Sequence, residues 1–208
     1  KVMGNGRSLS LINIITCFVV FLIVSISCST VKKQEFTKND YDAIQSAKNE
    51  LEKSLRKEIE QKNIEVQRYR DALTINIADR LFFKSGDATI KKEGYAILDR
   101  IGGILKSLPN KIFRIEGHTD DVPIGKNLLI KYPNNWMLGA HRATNVAEYL
   151  RMKCDIESTN LVVVTYSSYR PILPNTSEEN RAKNRRIEIV VMNRLDYQVQ
   201  ELEKSETK

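Results

Sequence analysis

Residues Lys111–Asp121 read KIFRIEGHTDD, in which an apolar and polar alternation is followed by a polar segment. Phe113 and Ile115 lie on one face of a short run that alternates with polar residues, which predicts a strand with one buried face. The strand runs directly into the polar segment 117–121, where a strand end meets a loop. Such strand ends are where a scaffold presents functional groups to solvent. We therefore predict a functional loop directly after this strand.

The segments on either side predict further strands and helices. Strands are expected at 73–77, 161–164 and 187–191, and helices at 97–108 and 136–152, the second capped by Asn135. Strands separated by helices indicate right-handed crossovers. The fold class is therefore α/β (α+β): a two-layer sandwich of a four-stranded mixed sheet with helices on one face, in βαβαβ–β order. Trp136 is expected to anchor the start of its helix in the core.

Between Asp40 and Arg70 the chain contains neither glycine nor proline, and its apolar residues recur at helical spacing. They are Ile44, Leu51, Leu55, Ile59, Val66 and Tyr69. We favour a solvated helical stalk over a short coiled coil, because the apolar positions depart from strict heptads. A homodimer through this spacer helix remains an alternative.

The N-terminal segment has the pattern of an export signal. Lys1 and Arg7 precede an uncharged run at 11–27, and Cys28 follows in the context of a relaxed lipobox. We expect lipidation of Cys28, with an uncleaved anchor helix as the alternative. The predicted division is a signal peptide or anchor at 1–28, a charged helical spacer at 29–71, the globular domain at 72–195 and a polar tail at 196–208. Both alternatives predict a periplasmic, membrane-anchored protein, with an outer-membrane lipoprotein favoured and the inner membrane possible.

Composition excludes several functions. The 208 residues are 41% hydrophobic, too apolar for a wholly disordered chain, and the net charge of +7 fits contact with an anionic polymer. The export segment argues against nucleic acid as that polymer. Two histidines exclude a three-histidine zinc site, and no Ser-His-acid, Cys-His or carboxylate-dyad pattern is present. We expect no enzyme activity, no cofactor and no metal.

Charged residues flank the predicted functional loop. Asp120 ends the strand segment, Arg142 lies beside the apolar face of the second helix, and Arg185 and Arg186 precede the last strand. If an Asp and an Arg converge near the sheet ends, they can hold a zwitterion, carboxylate to ammonium and guanidinium to carboxylate. A purely structural ion pair between Asp120 and Arg142 is the alternative.

Three ordered motifs resemble the OmpA-like C-terminal domain, which outer-membrane protein A, the peptidoglycan-associated lipoprotein and MotB share. They are EGHTDDVPI (Glu116–Ile124), NWMLGAHRATNVAEYL (Asn135–Leu150) and RAKNRRIEIVV (Arg181–Val191), within a resemblance that covers Leu73 to Asn193. The resemblance implies noncovalent binding of peptidoglycan through the diamino acid of the stem peptide. It implies that Asp120, in the motif with Thr119, and Arg142 bind this group, that Asn184, Arg185 and Arg186 line or brace the pocket, and that backbone amides at Ser85 and Gly86 help to receive a carboxylate.

Three positions depart from the family pattern: Lys84, Gly139 and Ser167 replace a frequent Asp, Ser and Gly. A membrane-to-wall tether is the favoured function. A MotB-like flagellar stator or stator-associated protein is the alternative, because Asn135-Trp136 and Tyr169–Pro171 look more like that branch. A stator needs an ionisable group in its membrane helix, and 11–27 contains no acidic residue.

Overall fold

The computed structural model describes residues 38–69, 72–194 and 197–198. Within them the chain forms five α-helices and five strands, which we label in chain order. They are α1 (Lys38–Ser54), α2 (Arg56–Glu60), β1 (Ile64–Tyr69), β2 (Ala72–Ala78), α3 (Lys92–Lys106), β3 (Lys111–His118), α4 (Asn135–Lys153), β4 (Leu161–Ser167), α5 (Glu178–Asn184) and β5 (Arg186–Asn193). The predicted export segment, Cys28 and most of the predicted tail lie outside the described residues.

The strands form one mixed sheet in the order β1-β2-β5-β3-β4. Strands β3 and β4 are parallel, and the other neighbours are antiparallel. Strand β5 inserts between β2 and β3, so that Ile189 faces Ile75 on one side and Ile115 on the other. These three side chains are fully buried in the main core. The predicted fold class is confirmed, with five strands where four were expected.

The fifth strand, β1, lies where the sequence predicted the end of the spacer helix, so that part of the prediction is wrong. Helix α1 ends at Ser54, and the chain turns through Lys62 at a positive φ before it enters β1. Residues 64–69 read IEVQRY, and Ile64 and Val66 are buried while Glu65 and Gln67 are exposed. This period of two, carried by β-branched residues, favours a strand over a helix.

The solvated-stalk prediction is also wrong for the described residues. Ile44, Leu51 and Leu55 are fully buried and belong to the same core as the sheet. Helix α1 packs against α3 and β1. The apolar residues Ile44, Leu51 and Leu55, through which a homodimer was the alternative, are therefore covered by the same chain.

Helix α4 packs closely on the parallel pair β3–β4. A side chain at Gly117 would overlap the carbonyl oxygen of Gly139, and one at Gly139 would lie 2.5 Å from Oγ1 of Thr165. The absence of side chains at both positions allows this close approach. It holds α4 on β3, and Arg142 lies on this helix about one turn beyond Gly139.

The N-terminus of α4 joins the helix to the functional loop. Asn134, not the predicted Asn135, is the N-cap, and its Oδ1 accepts a hydrogen bond of 3.0 Å from the N–H of Met137. Asn135 Nδ2 instead donates to the carbonyl oxygens of Asp120 and Val122, at 3.2 and 2.9 Å.

Among the described residues, none of the helices combines the length and the apolar character needed to cross a membrane.

Candidate functional site

Four charged side chains meet at one edge of the sheet. Asp79 follows β2, Asp120 follows β3 by two residues and Arg185 precedes β5. Because β5 runs antiparallel to both β2 and β3, its N-terminus lies beside their carboxyl ends. Arg142 reaches the same edge from α4. The site therefore depends on sheet topology as well as on any one motif.

Arg142 is 2% exposed and makes two hydrogen bonds. Its Nη1 donates to Oδ2 of Asp79 at 2.9 Å, and its Nε donates to the carbonyl oxygen of Asp87 at 2.9 Å. The guanidinium carbon lies 5.0 Å from the ring centroid of Phe83. Nη2 has no hydrogen-bond partner among the described residues. It is also not one of their fully buried unpaired polar atoms, so it remains accessible from solvent. This nitrogen is therefore where Arg142 can donate to a ligand.

Asp120 is 7% exposed and pairs with Arg185. Its Oδ2 accepts from Nη1 of Arg185 at 2.5 Å, and its Oδ1 accepts from the N–H of Val122 at 3.2 Å. Arg185 also donates from Nη2 to Oε1 of Glu178 at 2.7 Å. Among the four residues of the cluster, the ion pairs are thus Asp79–Arg142 and Asp120–Arg185, and within the described chain the predicted alternative of a direct Asp120–Arg142 pair does not form.

The two pairs influence each other electrostatically. Burial raises the pKa of Asp79, while the charges of Arg142 and Arg185 oppose this rise. Burial lowers the pKa of Arg142, and Asp79 opposes that change. The pKa of Arg185 is raised, because hydrogen bonds to Asp120 and Glu178 outweigh partial burial. Two carboxylates and two guanidinium groups give this cluster a formal charge of zero.

The loop at 85–87 lies beside Arg142 through the carbonyl of Asp87. Gly86 has φ +68°, and a side chain there would overlap Leu128. Burial alone would raise the pKa of the Asp87 carboxyl, but hydrogen bonds from Lys131 Nζ and from the N–H groups of Thr89 and Ala88 lower it to about 2. The Ser85–Gly86 turn is therefore held in a fixed shape next to the buried guanidinium.

Other predicted site residues lie outside the charge cluster. Asn184 is buried, and within the described residues its side chain bonds only to Ile172, Leu173 and Asn175, so it braces the loop before α5. Thr119 is also buried, and its hydroxyl donates to the carbonyl of Asp120. Arg186 lies on the opposite face of the sheet from the core residue Ile187 and pairs with Glu188 at 2.5 Å. Of the three consecutive residues 184–186, the structure brings only Arg185 to Asp120.

One group among the described residues has the spacing of metal ligands. Ligand atoms of Glu116, His118 and Glu188 lie within 4.8 Å of one another. Arg114 and Arg186 already donate to the two glutamates at 2.5 Å. A cation would have to displace both guanidinium groups, so we assign this group to an ion-pair network on the outer face of the sheet.

The structure differs from the sequence prediction at Asp79, which was not identified, and at Trp136, which was placed elsewhere. Asp79 directly follows a strand, the same signal that identified Asp120, but its partner Arg142 is 63 positions away in sequence. Trp136 was expected in the core and is instead 45% exposed. Its ring stacks on Tyr169, with 5.6 Å between centroids and 28° between planes.

The mixed sheet, the helical layer and the charged loop edge define a two-layer α/β domain with a charged site at one end of its sheet. Residues 82–185, half of the chain, match the model of the OmpA family. The chain belongs to the OmpA family, as the motifs predicted.

Known relatives carry the same domain. Motility protein B of Bacillus subtilis strain 168 is 30% identical over 155 residues, covering 74% of this chain and 58% of that protein. Peptidoglycan-binding protein ArfA of Mycobacterium tuberculosis is 36% identical over 109 residues, covering 52% of this chain and 31% of that protein. The cell wall anchor of the T6SS from Pseudomonas aeruginosa has a TM-score of 0.63 and 29% identity, covering 69% of this chain and 96% of that structure. This chain thus spans less than two thirds of the first two proteins.

Proposed function

We propose that this protein binds peptidoglycan noncovalently and tethers a bacterial membrane to the cell wall. Relatives named for peptidoglycan binding and for cell wall anchoring share its domain. No catalytic role is proposed, because the charged residues of the site are paired with one another and none has the partner of an activated nucleophile.

The ligand we propose is the diamino acid of the stem peptide, whose free end is a zwitterion. Asp120 would accept the ammonium group, and Nη2 of Arg142 would donate to the carboxylate. The observation that carries this proposal is the arrangement of the two ion pairs, in which Asp120 and Arg142 lie within electrostatic range but are not paired with each other. A neutral zwitterion can lie between them without leaving an uncompensated charge.

The proposed contacts also predict the strength of binding. Each charge-assisted hydrogen bond contributes ~1.5–3 kcal/mol. Two such contacts with a few backbone donors correspond to affinities of about micromolar to millimolar. Such weak contacts suit a reversible tether that is repeated over many copies of the protein.

The membrane end of the tether belongs to the segment outside the described residues. We propose lipidation of Cys28, with an anchor helix at 11–27 as the alternative, and a periplasmic location for the domain. Mass spectrometry of the mature N-terminus tests this part. An acylated Cys28 is expected, and an unmodified cysteine within a retained segment 11–27 would contradict lipidation.

Sedimentation of the purified full chain with isolated sacculi tests the proposed function. Asp120→Asn keeps the shape of the side chain and removes its charge, so we expect at least about a tenfold loss of binding. Asp121→Asn is the matched control, because Asp121 is the neighbouring residue and is exposed. Equal binding by both variants and the wild type would contradict the proposal.

A stator-associated role is the second candidate. The likeness to motility protein B of Bacillus subtilis extends over 155 residues, well beyond the matched range 82–185. Restoration of swimming in a strain that lacks its stator protein would favour this role. No restoration, together with sacculus binding, would favour the simple tether.

A further inference from the structure

Trp136 and Tyr169 form an exposed aromatic pair next to the charge cluster. The rings are stacked, and the residues are 45% and 74% exposed. Large aromatic side chains gain free energy by burial, so a stacked pair left in water is an unusual feature of a monomer surface. Neither the indole N–H nor the phenol hydroxyl has a hydrogen-bond partner among the described residues.

Two separate anchors hold the pair beside Asp120. Trp136 directly follows Asn135, whose side chain donates to the carbonyl of Asp120. Tyr169 follows the end of β4, where the carbonyl of Ser167 accepts from the N–H of Thr119 at 2.9 Å. Both aromatic residues are therefore tied to Thr119–Asp120, the loop proposed to receive the ammonium group.

The pair is too small for a stable protein interface. Two aromatic side chains of ~150–250 Å² each, exposed to this degree, leave at most about 300 Å² for contact. A stable interface buries ~800 Å² per partner. A flat apolar surface with two polar groups at its edge matches the size and chemistry of one sugar ring, whose C–H groups stack on aromatic faces and whose hydroxyl and acetamido groups form hydrogen bonds.

We infer that Trp136 and Tyr169 form a saccharide subsite for the glycan strand of peptidoglycan, next to the diamino-acid site. The inference rests on the proposed function, because the sugar is brought to the rings by the bound stem peptide. The lactyl group, the alanine, the γ-linked glutamate and the side chain of the diamino acid join the sugar to the ammonium group, and together they span about 20 Å when extended. A sugar joined to a ligand at Asp120 can therefore reach the rings, which are tied to the same loop.

Titration of the full chain with two soluble probes tests the inference. The first probe is the tripeptide L-alanyl-D-isoglutamyl-meso-diaminopimelate, and the second is the same peptide on its N-acetylglucosaminyl-N-acetylmuramyl disaccharide. We expect the wild type to bind the second probe roughly five- to tenfold more tightly. Trp136 is the one tryptophan of the chain, so its fluorescence should shift with the second probe and not with the first.

Variants separate the subsite from the peptide site. Trp136→Ala and Tyr169→Ala should abolish the preference for the disaccharide probe and leave tripeptide affinity unchanged, whereas Trp136→Phe should keep part of the preference. Tyr95→Ala is the control, because Tyr95 lies in a second stacked pair, with Tyr149, on the helical layer. Its preference should equal that of the wild type.

The outcomes distinguish the two proposals. If the wild type binds both probes equally, or if Trp136→Ala weakens both to the same extent, the saccharide subsite is wrong and the peptide site stands. If the wild type binds neither probe, the proposed function fails together with the inference.

Discussion

At the scale of single residues, Arg142 combines a structural role with the proposed binding role in one guanidinium group. Nη1 and Nε hold Asp79 and the loop at Asp87, which fixes the orientation of the side chain, and Nη2 remains for a ligand. Removing one partner of a buried pair leaves an uncompensated charge, which is costly. Arg142 is therefore needed for stability as well as for the proposed contact.

The first prediction concerns stability. Arg142→Ala should lower the free energy of unfolding by ~3–5 kcal/mol, because it leaves the carboxylate of Asp79 buried without its partner. Arg151→Ala, on the same helix, removes an exposed pair with Glu148 and should cost ~0–1 kcal/mol. Urea denaturation measures both. Similar losses in the two variants would show that the Arg142 pair is not effectively buried.

The second prediction concerns the pKa of Asp87. Because this pKa is about 2 in the folded protein and 3.8 for an unperturbed group, the ionised carboxyl stabilises the fold above about pH 4. That contribution should be lost as the pH falls from about 4 to 2. Lys131→Met removes this donor and its charge and should raise the pKa of Asp87, as measured by NMR titration of the carboxyl carbon. An unchanged value would mean that Lys131 does not reach Asp87 in solution.

At the scale of elements, helix α1 shows why a sequence pattern did not settle the architecture. The apolar stripe of 44–55 correctly indicates an amphipathic helix, but the same stripe suits a stalk, a coiled coil or a helix packed on a sheet. The existence of β1, which extends the sheet under α1, decides among these. The alternating segment IEVQRY was predicted as helix because the residues before it have a composition typical of a helix.

The third prediction tests this packing. Leu51→Ala should destabilise the domain by ~2–5 kcal/mol, since Leu51 is fully buried in the main core. Ser46→Ala, at an exposed position of the same helix, should change stability by less than ~0.5 kcal/mol. Thermal or urea unfolding measures both. A small effect of Leu51→Ala on stability would instead favour the prediction of an independent helical stalk.

The fourth prediction concerns the contact between α4 and β3. Gly117→Ala should destabilise the fold by ~1–3 kcal/mol, because the new methyl group would overlap the backbone of Gly139 and push α4 away. Gly103→Ala is the control, because nothing lies within 4 Å of its added atom, and it should stabilise α3 by ~0.5–1 kcal/mol. Chemical denaturation of both variants measures the difference. Equal effects would contradict the close approach.

At the scale of the whole molecule, local motifs predicted the fold class and part of the site. Asp120 and Arg142 were identified from their motifs, and the structure brings both to one edge of the sheet. Asp79 and the pairing of Arg185 with Asp120 depend on the insertion of β5 between β2 and β3, which joins segments far apart in sequence. Local patterns carry no information about that insertion.

The positions of the aromatic pair and of Arg186 likewise could not be predicted from local sequence patterns. Whether a side chain at the edge of an element faces the core, the opposite sheet face or solvent depends on strand register and on the path of the loops. Arg186 differs from Arg185 by one position, and the alternation of β5 sends it to the other face. A one-residue uncertainty in a strand boundary is enough to reverse such an assignment.

The central claim is that Asp120 receives the ammonium group of a stem-peptide diamino acid. The most direct test is calorimetric titration of the full chain and of Asp120→Asn with the diaminopimelate tripeptide and with the same peptide acetylated on its free side-chain amine. We predict that acetylation weakens binding to the wild type by at least about tenfold and has little further effect on Asp120→Asn, because the two changes remove the same contact. If acetylation leaves wild-type affinity unchanged, or weakens both proteins equally, Asp120 does not bind that group.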